Sequence, residues 1–254
     1  MADETARWLE LDGAVNVRDL GGLPTEDGRV TAQRVLLRSD NLQGLSDKDV
    51  RRLVDDWGLR TVLDLRTPAE VAAEGPGPLV AEGLRHVNLD LIPGWDPQGD
   101  NSGRIVPHEK REKNDLSHFY LGYLDEAASS AVQALRVIAD VDSGPVVVHC
   151  AAGKDRTGVI VAMALTVAGV VSAEIVRDYA LTAERIEAIR DRLVASPTYA
   201  ADMERRPLDD MRPHALSMRH FLDRLEERGG VRSWLTDNDF GPADQSALRD
   251  RLTA

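Results

Sequence analysis

The amino-acid sequence predicts an α/β fold, a mostly parallel central sheet flanked by helices. Three observations carry this. Short apolar runs at residues 34–38, 61–65, 84–89 and 145–149 read as strands. Helical patterns separate them, and strands that alternate with helices build a parallel sheet covered on both faces. The length of 254 residues, with 43% hydrophobic and 29% charged residues, suits one sizeable domain covering 1–254.

Each element has its own signal. Ser46 caps a helix that runs to Trp57 and stops at Gly58. Residues 116–141 read as a helix or a pair of helices, broken near Ser129 and Ser130. The strand at 145–149 leads through a tight loop into a helix beginning near Thr157. From Ser172 onward the chain reads as helical, with Ile175, Val176 and Tyr179 on one apolar face and Ile186, Ile189 and Leu193 on another. Gly229 and Gly230 end a helix. The long polar loop from Pro93 to Asp115 carries Arg104, Lys110, Arg111 and Lys113. Loops of that length are functional or disordered. It reads either as a solvated loop or as a flap that brings cations to an anionic substrate.

The densest chemical signal is the run His149-Cys150-Ala151-Ala152-Gly153-Lys154-Asp155-Arg156-Thr157-Gly158. It holds the chain's only cysteine. Gly153 permits the turn, and the amides of Ala151, Ala152, Gly153 and Lys154 with the first helical turn form a concavity that favours an anion. Cysteines at helix N-termini are held in the thiolate form, the nucleophilic one. Arg156 offers a planar fork to two phosphate oxygens. Thr157 can donate a hydroxyl hydrogen bond to the sulfur. In open α/β sheets ligands bind beyond the carboxyl ends of strands. Cys150 and Arg66 both lie at such ends, consistent with one shared site. The bland alternative, a small buried apolar cysteine, leaves the glycine and the Lys-Asp-Arg-Thr run unexplained.

At these residues the chain resembles the cysteine-dependent protein tyrosine and dual-specificity phosphatases. The string from His149 to Gly158 resembles an atypical bacterial branch of them. So do Asn16-Val17-Arg18-Asp19-Leu20-Gly21-Gly22, Leu37-Arg38-Ser39-Asp40-Asn41-Leu42 and Leu63-Asp64-Leu65-Arg66-Thr67-Pro68-Ala69-Glu70. The resemblance runs from about Leu11 to the C-terminus and is loosest after Pro93 and after Ala183. It implies the phosphatase fold, with residues 183–213 as a helical lid over the site. It implies phosphotyrosine proteins as substrates, with phosphoserine, phosphothreonine and phosphoinositides as the wider set. Related lipid phosphatases carry a lysine directly after the cysteine; here Ala151 stands there.

Cleavage of a phosphate monoester needs a proton for the leaving oxygen. Four carboxylates compete. Asp155 ranks first, because the resemblance places the general acid there. Asp96, in Gly94-Trp95-Asp96-Pro97, ranks second on a loose likeness to the mobile acid loop of other tyrosine phosphatases. Asp64 ranks third and reads equally as a support for the loop, with His149 and Arg66 beside it. Asp90 ranks last. Lys154 reads evenly as a phosphate or headgroup ligand and as a solvated lysine. Asn16–Gly22 reads as a buttress or a tight turn, with Arg18 and Asp19 paired to each other or to the core.

Composition narrows partners. The formal net charge of −12 argues against nucleic acid. One cysteine excludes an internal disulfide and a thiolate metal cluster, and the histidines show no ligand spacing, so neither metal nor cofactor is expected. The longest apolar stretch, 159–171, is too short to span a bilayer. The first residues lack a basic start and apolar core, which predicts a cytoplasmic protein. Mycobacterial members of the resembled branch are exported without such a signal, which leaves secretion open. Two other classes remain: a phosphate-binding module without turnover, and a sulfur-transfer enzyme, which the Arg-Thr close of the loop disfavours.

Overall fold

The structure is a computed structural model that describes residues 7–95 and 115–253. Among these a central sheet has the order β1-β2-β5-β3-β4. Its strands are β1 (Arg18–Asp19), β2 (Leu36–Ser39), β3 (Thr61–Asp64), β4 (Arg85–Asn88) and β5 (Val146–His149). β2, β5, β3 and β4 run parallel, and β1 pairs antiparallel with β2 at one edge. The register sets Ser39 and Asp64 on either side of His149. Three strand ends therefore meet where the phosphate-loop sequence begins.

β5 is buried along its whole length because it lies in the middle of the sheet. Successive side chains leave on opposite faces. Val146 and Val148 join one apolar core, which is built with α3 (Ser117–Glu126), α4 (Ala128–Ala139) and α5 (Asp155–Ala168). Val147 joins the other, with Leu37, Val62, Leu53 and Leu59. α5 is apolar nearly all round, as a helix must be when both its neighbours and the sheet cover it. α6 (Ser172–Leu181), α10 (Ala215–Glu227), α11 (Gly230–Asp237) and α12 (Pro242–Leu252) complete the layer on that face. The shorter α7 (Ile186–Val194), α8 (Ala200–Arg205) and α9 (Leu208–Met211) form a third cluster beside the loop after β5.

Several element boundaries differ from expectation. The strand expected at 34–38 begins at Leu36, because Arg34 has φ +58, outside the extended region. β1, expected as a turn or buttress, is a two-residue edge strand. The helix after Ser46 starts as α1 (Asp47–Arg51) under a capping box with Asp49. It then widens into a π turn over Arg52–Asp56, closed by Trp57 N donating to Arg52 O. The break in 116–141 falls at Ala127, where φ −131 and ψ 37 leave the helix. Ser129 and Ser130 fit the first turn of α4, where polar groups meet unpaired amides. The helix expected near Thr157 begins two residues earlier, at Asp155. Asp96, Arg104, Lys110, Arg111 and Lys113 lie outside the described residues.

Candidate active site

The loop between β5 and α5 is tied down from behind by its carbonyls. Ala151 O accepts from Asn41 N at 3.0 Å. Ala152 O accepts from Asn16 Nδ2 at 3.0 Å, and Gly153 O accepts from Arg38 Nη2 at 2.7 Å. A trans peptide sets its N–H opposite its C=O. The amides of Ala152, Gly153 and Lys154 therefore turn into the loop, toward the first turn of α5. Gly153 has φ +65, and a Cβ there would stand 2.3 Å from Ser39 O, so only glycine lets the loop approach β2 this closely.

Behind the loop lies a buried ion cluster. Asp178 of α6 accepts from Arg7 Nη2 at 2.5 Å, Arg18 Nε at 3.1 Å and Arg38 Nη1 at 2.7 Å. Burial pushes the Asp178 carboxyl up, but the three guanidinium groups outweigh it and hold it far below the usual carboxylate range. Burial, then Arg38, lowers Arg18 to about 9, so it stays charged at neutral pH. Arg18 Nη1 also donates to Asn16 Oδ1 at 2.6 Å. Arg18 and Asp19 do not pair with each other: Asp19 caps the turn by accepting from Gly21 N and Arg34 N. Asn16 is thus held by one network and holds the loop with its own amide.

Arg156 is paired face to face with Glu70 in α2 (Pro68–Glu74). Nη1 lies 2.6 Å from Oε2 and Nη2 2.9 Å from Oε1, and Nη1 also donates to Leu65 O at 3.3 Å. Burial works against the Arg156 charge, but the Glu70 carboxylate outweighs it and holds the guanidinium well above its usual range. A guanidinium has five N–H donors. Three are engaged here, which leaves Nε–H and one Nη2–H as a side-on fork for an oxyanion. Glu70 is itself set by the Thr67 capping box and by Tyr199, whose hydroxyl donates to Oε1 at 2.7 Å.

The remaining candidates fall into place around this frame. Cys150 is 2% exposed, at the end of β5. Asp155 sits in the first turn of α5, where the helix dipole favours a carboxylate. Its side chain is 30% exposed, and its Oδ1 accepts from Tyr120 Oη at 2.6 Å. Lys154 is buried, unlike a solvated lysine, and Nζ donates to Met211 O at 2.8 Å. Thr157 Oγ1 is buried without a hydrogen-bond partner, so its expected bond to the sulfur is not made in this arrangement. Arg66 is committed elsewhere: it donates to Asp64 through Nε and Nη2 and to Gly75 O. Asp64 thus orders the end of β3, with its Oδ1 3.7 Å from His149 Nε2. Burial lowers the His149 imidazole from its ordinary value, against the pull of Asp64, and its Nδ1 lies 3.2 Å from Cys150 O. Asp90 caps a local turn by accepting from Ile92 N at 2.8 Å.

Ala151 packs with Ile186, Ile189, Leu193, Tyr199, Met203 and Met211, so the helices of the 183–213 region lie against the loop. Among the described residues, no group of three or more histidine, cysteine, aspartate or glutamate side chains could hold a metal ion. Nor is any helix there long and apolar enough to cross a membrane.

Glu70 and Asp178 were not among the sequence candidates. Glu70 carries a local signal, the third residue after a Thr-Pro helix start, but that signal reads as a cap. Asp178 carries none, since its arginines lie up to 171 positions away.

Amides turned inward at a helix start, beside a side-on guanidinium fork, match the tetrahedral oxygens of a phosphoryl group, and the class so defined is the phosphoric monoester hydrolases. A sequence model described as the Tyrosine phosphatase family matches residues 9–254, and the chain belongs to that family. It is similar to the triple specificity protein phosphatase PtpB of Mycobacterium tuberculosis, with 33% identity over 210 residues, 72% of each chain. It is 31% identical over 152 residues to a tyrosine-protein phosphatase of Nostoc commune, covering 59% of this chain and 49% of that one. Among solved structures it aligns with the catalytic core of the PP-IP phosphatase SIW14 of S. cerevisiae. There the identity is 16%, the TM-score 0.38 and the coverage 87% and 97%, a likeness too slight to bear on function.

Proposed function

We propose that the protein hydrolyses phosphotyrosine in proteins through a phosphocysteine intermediate, with Cys150 as nucleophile. The observation that carries this is the backward tie of three loop carbonyls, which aims the loop amides at the space beside Cys150. The thiolate attacks phosphorus, the P–O bond to tyrosine breaks, and Asp155 gives its proton to the leaving oxygen. The free Nε–H and Nη2–H of Arg156, with the amides of Ala152, Gly153 and Lys154, hold the equatorial oxygens. In the second step water attacks phosphorus, Asp155 takes its proton, and the S–P bond breaks to return the thiolate. Thr157, whose buried hydroxyl has no other partner among the described residues, donates to that departing sulfur in this step.

Asp155 is favoured as the acid by its place beside Arg156 and by its partial exposure. Residues 183–213 act as a lid within a single phosphatase domain. Support comes from Tyr199 on Glu70, Lys154 on Met211 O and Arg192 Nε on Asp40 Oδ2 at 3.1 Å, which together hold the helices against the loop that follows a nearly inaccessible Cys150. A phosphoprotein reaches Cys150 when these contacts part. The same opening frees Lys154 Nζ for a second phosphate oxygen, which extends the substrates to phosphoserine, phosphothreonine and phosphoinositides.

Phosphate release tests the reading. Wild type should turn over phosphotyrosine peptide fastest in a panel with phosphoserine, phosphothreonine and phosphoinositides, vanadate should inhibit it, and EDTA should leave it unchanged. Cys150→Ser should abolish release; full activity in that variant would sink the mechanism.

A further inference from the structure

We propose that Tyr120 is a positioning residue for the general acid, wired in series with Tyr179, and that the pair dictates which oxygen of Asp155 carries the transferable proton. This rests on Asp155 being the acid.

The geometry is a short chain of hydroxyls. Tyr179 Oη lies 2.6 Å from Tyr120 Oη, and Tyr120 Oη lies 2.6 Å from Asp155 Oδ1. Both tyrosines are 1% exposed or less, on α3 and α6, which clamp α5 from two sides. Burial first, then Asp155, raises the Tyr120 phenol well above its usual range, so it remains a hydroxyl at any working pH. A tyrosine hydroxyl has one hydrogen to donate. Tyr120 spends it on Asp155 Oδ1, so the bond between the tyrosines must run from Tyr179 to Tyr120. The direction of the whole chain is fixed, from Tyr179 through Tyr120 to Asp155.

That direction has a chemical result. Oδ1 already receives a hydrogen, so a protonated Asp155 carries its own proton on Oδ2. Oδ2 faces Lys154 Nζ at 3.5 Å. The other titratable neighbour is Tyr123, which is buried and interacts electrostatically with Asp155, Arg156 and Cys150. Tyr120 thereby locks the carboxyl rotation and stabilises the carboxylate left after proton donation. Asp155 needs both to give a proton in one step and take one in the next. The rings hold the hydroxyls in place: Tyr120 meets Tyr179 and Phe221 edge-on at 6.1 and 5.9 Å between centroids.

The test compares dinitrophenyl phosphate, whose leaving group needs no proton, with phenyl phosphate, whose leaving group does. The readout is the ratio of their kcat/KM values in wild type, Asp155→Asn, Tyr120→Phe and Tyr179→Phe. Asp155→Asn should raise the ratio by about 100-fold, the usual contribution of a general acid. Tyr120→Phe should raise it about tenfold, in line with a hydrogen bond to a charged group, and Tyr179→Phe should raise it less. The limb of the pH–rate profile that requires the protonated acid should move to higher pH in Tyr120→Phe, because the carboxylate has lost a donor. If Asp155→Asn leaves the ratio unchanged, the assignment of the acid fails and this inference with it. If Asp155→Asn raises the ratio while Tyr120→Phe slows both substrates equally, the tyrosine is only structural and the inference alone is overturned.

Discussion

Arg156 and Glu70 meet as two parallel hydrogen bonds of 2.6 and 2.9 Å, in a site where neither side chain is more than 9% exposed. The pair aligns the remaining guanidinium fork with the loop amides. Removing one member leaves the other charged and buried, which costs about 3–5 kcal/mol. Glu70→Ala should lower stability by that order in urea unfolding, and inorganic phosphate should restore part of it by neutralising Arg156. An unchanged urea midpoint would refute the buried pairing.

Gly153→Ala should be destabilised by about 2 kcal/mol or more, since it combines a left-handed backbone with a clash against Ser39 O. Its phosphatase activity should fall further than its stability, because the loop amides move with the loop. Thermal unfolding and kcat measured side by side separate the two losses. Native activity in this variant would mean that the close approach to β2 does not shape the loop.

Tyr199→Phe removes one hydroxyl between the lid region and Glu70 while keeping the ring. A net hydrogen bond of about 1 kcal/mol corresponds to roughly a fivefold shift in an opening equilibrium. Iodoacetamide should therefore alkylate Cys150 about fivefold faster in the variant. An equal rate would show that Tyr199 does not restrain access to the thiol.

Asp64 gives the fold an acid-sensitive contribution. Burial raises its carboxyl, but His149 and Arg66 outweigh that and bring it down to about 2. A depressed carboxyl stabilises the folded state above its unfolded value, near 3.8, and loses that contribution as pH falls toward 2. The contribution is about 2 kcal/mol by linkage. Urea midpoints taken down that interval should fall more steeply for wild type than for Asp64→Asn; parallel slopes would refute it.

How much of this was legible in the sequence depends on distance along the chain. The loop from His149 to Gly158 is contiguous, and its strand-loop-helix setting can be read from ten residues. The parallel strands were legible because β5 opens with three consecutive valines and β3 centres on Val62 and Leu63, both fully buried. β1 was not, because two residues, Arg18 and Asp19, carry no period at all. Arg34 looked like the start of a strand, and only its backbone conformation excludes it. Long-range partners were the main omission. Glu70 lies 86 residues before Arg156, and its capping role hides its second contact. Lys154 read evenly as an anion ligand and as a solvated lysine because nothing local announces that the carbonyl of Met211 accepts from it.

The ion cluster behind the loop separates charge by depth. Three arginines around one aspartate leave a formal excess of two positive charges inside a chain whose net charge is −12. Seen from afar the protein is an anion, and it repels an acidic phosphoprotein over the Debye length of about 8 Å at physiological salt. Seen from within the loop it is a cation. Encounter and capture therefore respond oppositely to salt: added ions speed the approach of a negatively charged partner by screening the surface, while the shielded interior keeps its grip on the phosphate once it arrives.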